Sequence, residues 1–266
     1  MFDLAALEAD LAGTVFAGKL HFVRATGSTN SDALAAARGD AQHVGVPHGS
    51  VYFADEQLAG RGRGDHGWIS AAGEGLYVSV LLRPQIPASR LAMLPLAAGL
   101  AAAEAIRAAS GLNVDLRWPN DLLIGPRKAG GILVEAKVES ETPLYAVVGI
   151  GINVHQHAFP PGLATPATSL DLEVGKSISR QTLLVALLKS LERETQALAD
   201  ATATKEILAR VEQASTWIRG RSVQVHGPQS CTGVTAGLDE NGFLQVATPS
   251  GLVTVQTGGL RAAEKD

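Results

Sequence analysis

Apolar and polar positions along this chain switch repeatedly between the two-residue period of a strand and the longer period of a helix. Leu4 to Leu11 is acidic and Ala-rich and reads as a helix, and Leu20-His21-Phe22-Val23 reads as a short strand. The polar cluster Ala25-Thr26-Gly27-Ser28-Thr29-Asn30-Ser31-Asp32 then opens an Ala-rich helix through Arg38, since Ser, Thr and Asn cap helix N-termini. Ser50 to Ala54 and Leu76 to Leu82 are β-rich, whereas Leu91 to Ala109 carries only Glu104 and Arg107 as charges and reads as a helix buried on most sides. Leu112 to Trp118, Gly131 to Val138 and Leu144 to Val154 follow as strands, and Phe159 to Pro166, with three prolines, as a loop. Gln181 to Ala199 sets Leu183, Leu184, Leu187, Leu188 and Leu191 on one face against Lys189, Glu192 and Arg193, an amphipathic helix; Lys205 to Ala214 continues in helical style.

After Trp217 the pattern changes. Val223 to Val225, Thr232 to Ala236, Phe243 to Ala247 and Leu252 to Gln256 are short strands, with turn signals at Gly227-Pro228 and Asp239 to Gly242. The expectation is an α+β fold: residues 1–218 form a domain with a central mixed sheet and packed helices, and residues 219–266 a small β-barrel.

Hydrophobic residues make up 46% of the 266 positions and charged ones 18%, the profile of a chain with a packed core. Lys and Arg number 22 against 26 Asp and Glu, a net charge of −4 that supplies no basic surplus for a nucleic-acid backbone. A single cysteine, Cys231, rules out an internal disulfide and a cysteine-based zinc site, and fits a reducing compartment. The N-terminus lacks the basic flank and apolar core of a signal peptide. The apolar run Leu91 to Ala103 is 13 residues long and broken by Pro95 and Gly99, short of the roughly 20 that a membrane span needs. A cytoplasmic protein without membrane or nucleic-acid partners is expected, and a homodimer is compatible with everything above.

Four stretches stand out from core and surface. Gly60-Arg61-Gly62-Arg63-Gly64-Asp65-His66-Gly67-Trp68 alternates glycines with arginines, so backbone N–H groups can approach an anion while guanidinium forks close over it. Alone it reads as readily as a glycine hairpin with solvated arginines. Its GxGxxG spacing is not a dinucleotide fingerprint, because no helix pattern follows Trp68. In Arg117-Trp118-Pro119-Asn120-Asp121 the proline fixes the chain direction, presenting Asn120 and Asp121 in a turn. Lys128 stands just ahead of a Gly130-Gly131 entry into a strand, and Gly149 and Gly151 interrupt an apolar strand that ends at Asn153. Glycine is a poor strand residue, so that pair implies close approach by a ligand or another chain. His155-Gln156-His157 has no third ligand at a sensible spacing and reads as solvated.

In order, these stretches resemble the biotin protein ligases, or biotin–[acetyl-CoA-carboxylase] ligases. That pattern runs S-T-N, E-Q-x-x-G-R-G-R…W, K-W-P-N-D, K-x-x-G-I-L-x-E and G-x-G-x-N; here Ser28-Thr29-Asn30, Glu56-Gln57 with Gly60 to Arg63 and Trp68, Arg117 to Asp121, Lys128 to Glu135 and Gly149 to Asn153 supply it across about 125 residues. Departures are Gly64 to Gly67 where further basic residues are common, Arg117 for a lysine and Ala129 for a larger aliphatic. The resemblance implies a fold of the class II aminoacyl-tRNA-synthetase and biotin-ligase type with an SH3-like barrel. The 27 residues before Ser28 are too few for the winged helix-turn-helix of bifunctional members, roughly 60 residues, so a catalytic-only form is implied.

It also implies a reaction in two halves: biotin's carboxylate attacks the α-phosphate of ATP to give biotinyl-5′-AMP and pyrophosphate, and a lysine of a biotin carboxyl carrier protein then takes the biotinyl group, releasing AMP. By resemblance Lys128 and Arg63 are the catalytic electrostatic stabilisers. Ser28, Thr29, Asn30 and Gln57 would satisfy the ureido ring, with Gly60, Arg61, Gly62, Arg63 and Lys128 completing the biotin site. Arg63, Trp68, Asn120, Asp121, Lys128 and Asn153 would serve the nucleotide, Asp121 standing near an Mg²⁺ bridging its phosphates, with Phe159 to Thr168 as a lid. A lipoate or octanoate ligase of related fold, or a non-catalytic biotin sensor, are the competing readings.

Overall fold

A computed structural model describes residues 2–38, 45–64 and 66–263. In chain order the elements are α1 Leu4–Asp10, β1 Leu20–Thr26, α2 Thr29–Arg38, β2 Ser50–Gln57, β3 Gly75–Leu82, α3 Leu94–Ser110, β4 Asp115–Arg117, β5 Asp121–Ile124, β6 Arg127–Glu139, β7 Thr142–Asn153, α4 Leu170–Val174, α5 Arg180–Ala197 and α6 Ala201–Gln213. The remainder is all β: β8 Arg219–His226, β9 Cys231–Leu238, β10 Leu244–Thr248, β11 Gly251–Val255 and β12 Gly259–Ala262.

The first seven strands form one sheet in the order β1-β2-β3-β7-β6-β5-β4. Only β1 and β2 run parallel in it; every other neighbouring pair is antiparallel. The central strand β3 is buried at all eight positions, which is why Leu76 to Leu82 reads as continuously apolar. Side chains alternate across a sheet. Leu76, Val78 and Val80 therefore join the main core with α3 and α5, while Leu81 faces the other way and packs with Ala33 and Ala37 of α2. Between the β3 and β7 neighbours that α2 covers and the free end of the sheet, this second face carries the polar side chains described below.

The later strands form an antiparallel sheet in the order β11-β10-β9-β8-β12, a small barrel-like unit whose two outer strands do not pair with each other among the described residues. Its inward residues Val223, Val225, Leu244, Val246 and Leu260 belong to the same contiguous core as α3 and the large sheet. The mixed-sheet α+β architecture is the one the pattern predicted.

Three local expectations need correction. The chain between Leu112 and Trp118 contributes only the three residues of β4, and β5 was not anticipated: Asp121-Leu122-Leu123-Ile124 is too short, between two turns, to show a period. Asp121 is thus the first residue of a strand, opposite Arg117, and not a turn residue. Likewise Lys128 lies inside β6, which begins before the glycine pair. The apolar helix is also longer than expected. A 3-10 turn, Ala88–Met93, runs into α3, giving a 23-residue stretch long and apolar enough to cross a membrane. It is a core helix here, with Leu94, Ala98, Ala101 and Ile106 fully or nearly fully buried.

Two glycines separate packing from backbone cost. A methyl at Gly99 in α3 would sit 3.5 Å from Leu116 Cδ2, an ordinary contact. Gly242 has φ +82° and a methyl there would meet Met93 Sδ at 2.7 Å. Gly99→Ala is expected to leave stability unchanged or raise it by up to about 1 kcal/mol. Gly242→Ala is expected to cost on the order of 1–3 kcal/mol. Urea unfolding of the two variants checks both signs.

Candidate active site

The glycine–arginine segment is a hairpin. Trp68 N–H donates to Gly60 O at 2.8 Å, Gly62 N–H donates to His66 O at 2.7 Å, and Arg61 pairs with Gly67 between them. It continues from β2 through a Gln57–Ser70 bridge. Asp65, its single acidic residue, lies outside the described residues. The two arginines part company. Arg61 Nη2 reaches Glu135 Oε1 on β6 at 2.6 Å. Arg63 donates from Nη1 to Asn120 Oδ1 at 3.3 Å and Gly258 O at 2.8 Å, and from Nη2 to Thr257 Oγ1 at 3.2 Å. Burial pulls the Arg63 guanidinium below its ordinary range, and the Asp121 charge opposes that fall.

Asp121 is the hub of the cationic end. Its Oδ2 accepts from Arg117 Nε at 3.0 Å and Nη2 at 2.6 Å, and its Oδ1 lies 2.5 Å from Lys128 Nζ. Burial alone would push this carboxyl up; the Lys128 ammonium and the Arg117 guanidinium outweigh it and hold it below the usual carboxylate range. Both oxygens are therefore committed to cations, which does not suit the expected magnesium contact. Among the described residues no group of three or more His, Cys, Asp or Glu could hold a metal ion, and His155 Nδ1 is taken by Asp171 Oδ2 at 2.7 Å. The ammonium of Lys128 also stands 5.4 Å from the centre of the Trp68 ring, a cation–π distance. Lys128 and Arg63 thus gather round Asn120 and Asp121 from two sides.

The polar end is a buried hydrogen-bonded chain. Gln57 Oε1 accepts from Thr29 N–H at 2.9 Å, and Gln57 Nε2 donates to Ser70 Oγ at 2.7 Å. Thr29 Oγ1 lies 2.7 Å from Ser79 Oγ, which donates to Asn30 Oδ1 at 2.6 Å. Asn30 Nδ2 donates to Glu135 Oε2 at 3.0 Å. Thr29, Asn30 and Ser79 are buried, as is Ser28, which directly precedes α2. Asn30, expected on the ureido ring, has its amide engaged by the protein. Ser70, Ser79 and Glu135 were not assigned from the sequence, although Glu135 closes the K-x-x-G-I-L-x-E block and Ser79 interrupts the aliphatic residues of β3.

The glycines of β7 are explained by these side chains. A methyl on Gly149 would sit 2.0 Å from Asn30 Oδ1, and one on Gly151 2.5 Å from Trp68 Nε1. The close approach inferred from the sequence is therefore made by the chain's own Asn30 and Trp68. Trp68 Nε1 is buried without a hydrogen-bond partner. Asn153, expected on the nucleotide, ends β7 with Nδ2 donating to Thr168 O at 2.9 Å. That bond, with Lys128 N–H to Pro166 O at 2.8 Å and Thr168 N–H to Lys128 O at 2.9 Å, moors the far end of the proline-rich loop, whose residues 160–164 are exposed. A separate cavity of about 590 Å³ beside α5, lined by residues including Phe2, Asp10 and Arg180, shares none of these cations or hydroxyls.

The large sheet thus presents one glycine-lined face that is polar at one end and cationic at the other. Residues 23–153 match the biotin/lipoate A/B protein ligase family. A biotin–[acetyl-CoA-carboxylase] ligase from Mycobacterium tuberculosis is 33% identical, the alignment covering 90% of this chain and 87% of that one. The bifunctional ligase/repressor BirA of Bacillus spizizenii is 40% identical over 56% of this chain and 46% of its own length, so the chain spans about half of that relative. A solved biotin protein ligase from Aquifex aeolicus, in complex with biotin and ATP, superposes with a TM-score of 0.77 at 30% identity, covering 92% of this chain and all of that one. The chain belongs to the biotin/lipoate A/B protein ligase family, and these relatives within it are biotin protein ligases.

The Asp121 hub yields a pH signature. Its carboxyl is held low in the folded state, so the stability it contributes is present above the ordinary carboxylate range and is lost as pH falls through the depressed value. Asp121→Asn is expected to cost on the order of 2 kcal/mol at pH 7. The deficit should shrink steadily below pH about 4, as read from urea midpoints of both proteins across the acid range.

Proposed function

We propose that this chain is an ATP-dependent ligase that adenylates biotin to biotinyl-5′-AMP and transfers the biotinyl group to a lysine of a biotin carboxyl carrier protein. The observation that carries the reading is the length of the lane between the two ends of the site. Lys128 Nζ lies 3.5 Å from the methyl position of Gly131, which pairs with Gly151; Asn30 covers Gly149, which pairs with Leu133. Two residues of β-strand separate those registers, roughly 7 Å. That is the scale of a small polar ring joined to a short acid chain, with hydroxyls and amides at the ring end and cations at the acid end.

The first half-reaction brings a carboxylate against a phosphate, two anions. At about 4 Å and an effective dielectric near 20, an ion pair is worth about 4 kcal/mol before desolvation is subtracted. Lys128 and Arg63 are the groups that oppose this repulsion and the charge that grows on the α-phosphate. Asp121 keeps the Lys128 ammonium aimed across the lane, while Asn120 and the Thr257-Gly258 turn do the same for Arg63. Trp68 lays an apolar wall along the lane, its indole seated on Gly151. Magnesium belongs to this scheme as part of the MgATP substrate, screening phosphate charge, because the described residues build no resident metal site. In the second half-reaction a lysine of the carrier protein attacks the mixed anhydride and releases AMP.

An octanoate or lipoate substrate brings no ureido N–H or carbonyl to the hydroxyls and amides around Thr29 and Gln57, which weighs against it. The test is label transfer: biotin, MgATP and a carrier domain, scored by the mass shift of the carrier, with octanoate as the competing acid. Lys128→Ala is expected to lower adenylate formation by about 10²–10³ or more, with no AMP ever found covalently on the enzyme. A lysyl-AMP adduct seen by mass spectrometry, or modification of the carrier with octanoate alone, overturns the scheme.

A further inference from the structure

We infer that Arg117 and Thr165 are positioning residues for the nucleotide: one guanidinium, already committed to Asp121, clasps the proline-rich loop at Thr165 and so fixes where the free part of that loop leaves the site. This rests on the ligase reading above and deepens it. The loop is tied at both feet. On the inner side Ser169 Oγ donates to Gln156 O at 2.6 Å, and Asp171 N–H donates to Val154 O at 2.9 Å. Ala167 then pairs with Lys128 of β6 in a single parallel bridge, flanked by the Lys128–Pro166 and Thr168–Lys128 backbone bonds. Thr165 comes next. Arg117 Nη2 donates to its Oγ1 at 2.8 Å, and beyond it residues 160–164 are exposed. The Arg117–Thr165 bond is thus the outermost of these ties, and the only one that rests on two side chains.

The guanidinium is fixed before the loop reaches it. Nε and Nη2 both donate to Asp121 Oδ2, at 3.0 and 2.6 Å, and the guanidinium carbon stands 5.1 Å from the centre of the Trp217 ring. An ion pair on one edge and an aromatic ring on one face leave the planar fork little freedom. Its side chain is only 9% exposed, so a charged N–H that loses its acceptor there is poorly repaid by water. A hydroxyl is a suitable partner, because it accepts without adding an acid that would draw Arg117 away from Asp121. Arg117 therefore serves two neighbours with one rigid group: the carboxylate that holds Lys128 and the foot of the loop. On the ligase reading the phosphates meet Lys128 and Arg63, so the exposed span leaves the sheet beside the nucleotide, and seating the loop is part of building the nucleotide's site.

Thr165→Val keeps the shape of the side chain and removes the acceptor. Its KM for MgATP, read from pyrophosphate release at saturating biotin, is expected to rise about tenfold. Its kcat should stay within about threefold, since the tie acts alike on ground and transition states. Biotin affinity in the absence of ATP, by isothermal titration, should change by less than about twofold, because the loop stands at the other end of the lane. Thr165→Ser restores the hydroxyl and should return KM to within about twofold of the unaltered protein. In an Arg117→Met background Thr165→Val should add less than about twofold, because the two residues make one contact. If Arg117→Met does not fold, the valine and serine variants decide alone. An unchanged KM for MgATP in Thr165→Val, an equal loss of biotin affinity, or a serine variant as weak as the valine one overturns the positioning role. No pyrophosphate release from biotin and MgATP in the unaltered protein overturns the ligase reading itself, a separate result.

Discussion

Everything at the site depends on a strip of sheet that carries no side chains. Gly149, Gly151 and Gly131 lie in adjacent registers of β7 and β6, and without their methyl groups Asn30 and Trp68 lie directly on backbone. A side chain of any size at these positions would lift one or both off the sheet. The strip therefore sets the depth at which the polar chain and the indole sit, and with it the geometry of whatever binds above them. Such a strip costs strand propensity, and the cost is borne in the best-supported part of the sheet: β3 and β6 flank β7 along its length, and the opposite face is buried against α3.

Charge is handled by local neutrality. Three of the cations near the lane are held by acids of the same chain, Lys128 and Arg117 by Asp121, and Arg61 by Glu135, while Arg63 is held by neutral oxygens. An uncompensated cation in a half-buried groove would lose hydration without return, so the carboxylates keep the site stable when nothing is bound. They also set roles apart. Asp121 pairs with two cations, whereas Glu135 pairs with one cation and accepts from the Asn30 amide.

Much of this was legible in the chain before its structure. β3, β7 and α5 announced themselves because each is long and has an unambiguous apolar pattern, and the resemblance of Lys128, Arg63 and the Asn120-Asp121 pair to known ligase blocks located the cationic end. What was not legible shares one property: it depends on contacts distant in sequence. Nothing around Glu135 says that it will meet Asn30, and nothing around Gly149 says that the intruding atom belongs to the chain itself. Short β5 escaped because four residues between turns carry no period, and its absence misplaced Asp121 in a turn and Lys128 in a loop.

The small C-terminal sheet gains its place by the same logic of buried polar groups seeking partners. Trp118, in the turn that leads into β5, donates its indole N–H to Gly242 O at 3.0 Å, and Arg63 of the glycine hairpin donates to Gly258 O and Thr257 Oγ1. The hairpin and the turn are separated by more than fifty residues in sequence, yet both are tied to loops of that sheet, and its apolar interior is continuous with the main core. A guanidinium as buried as that of Arg63 needs acceptors fixed in space. Backbone carbonyls at the end of a strand supply them without adding an acid that would compete with a phosphate. The C-terminal sheet is in this sense part of the wall of the site, and the glycine hairpin and the turn before β5 are braced from the same side.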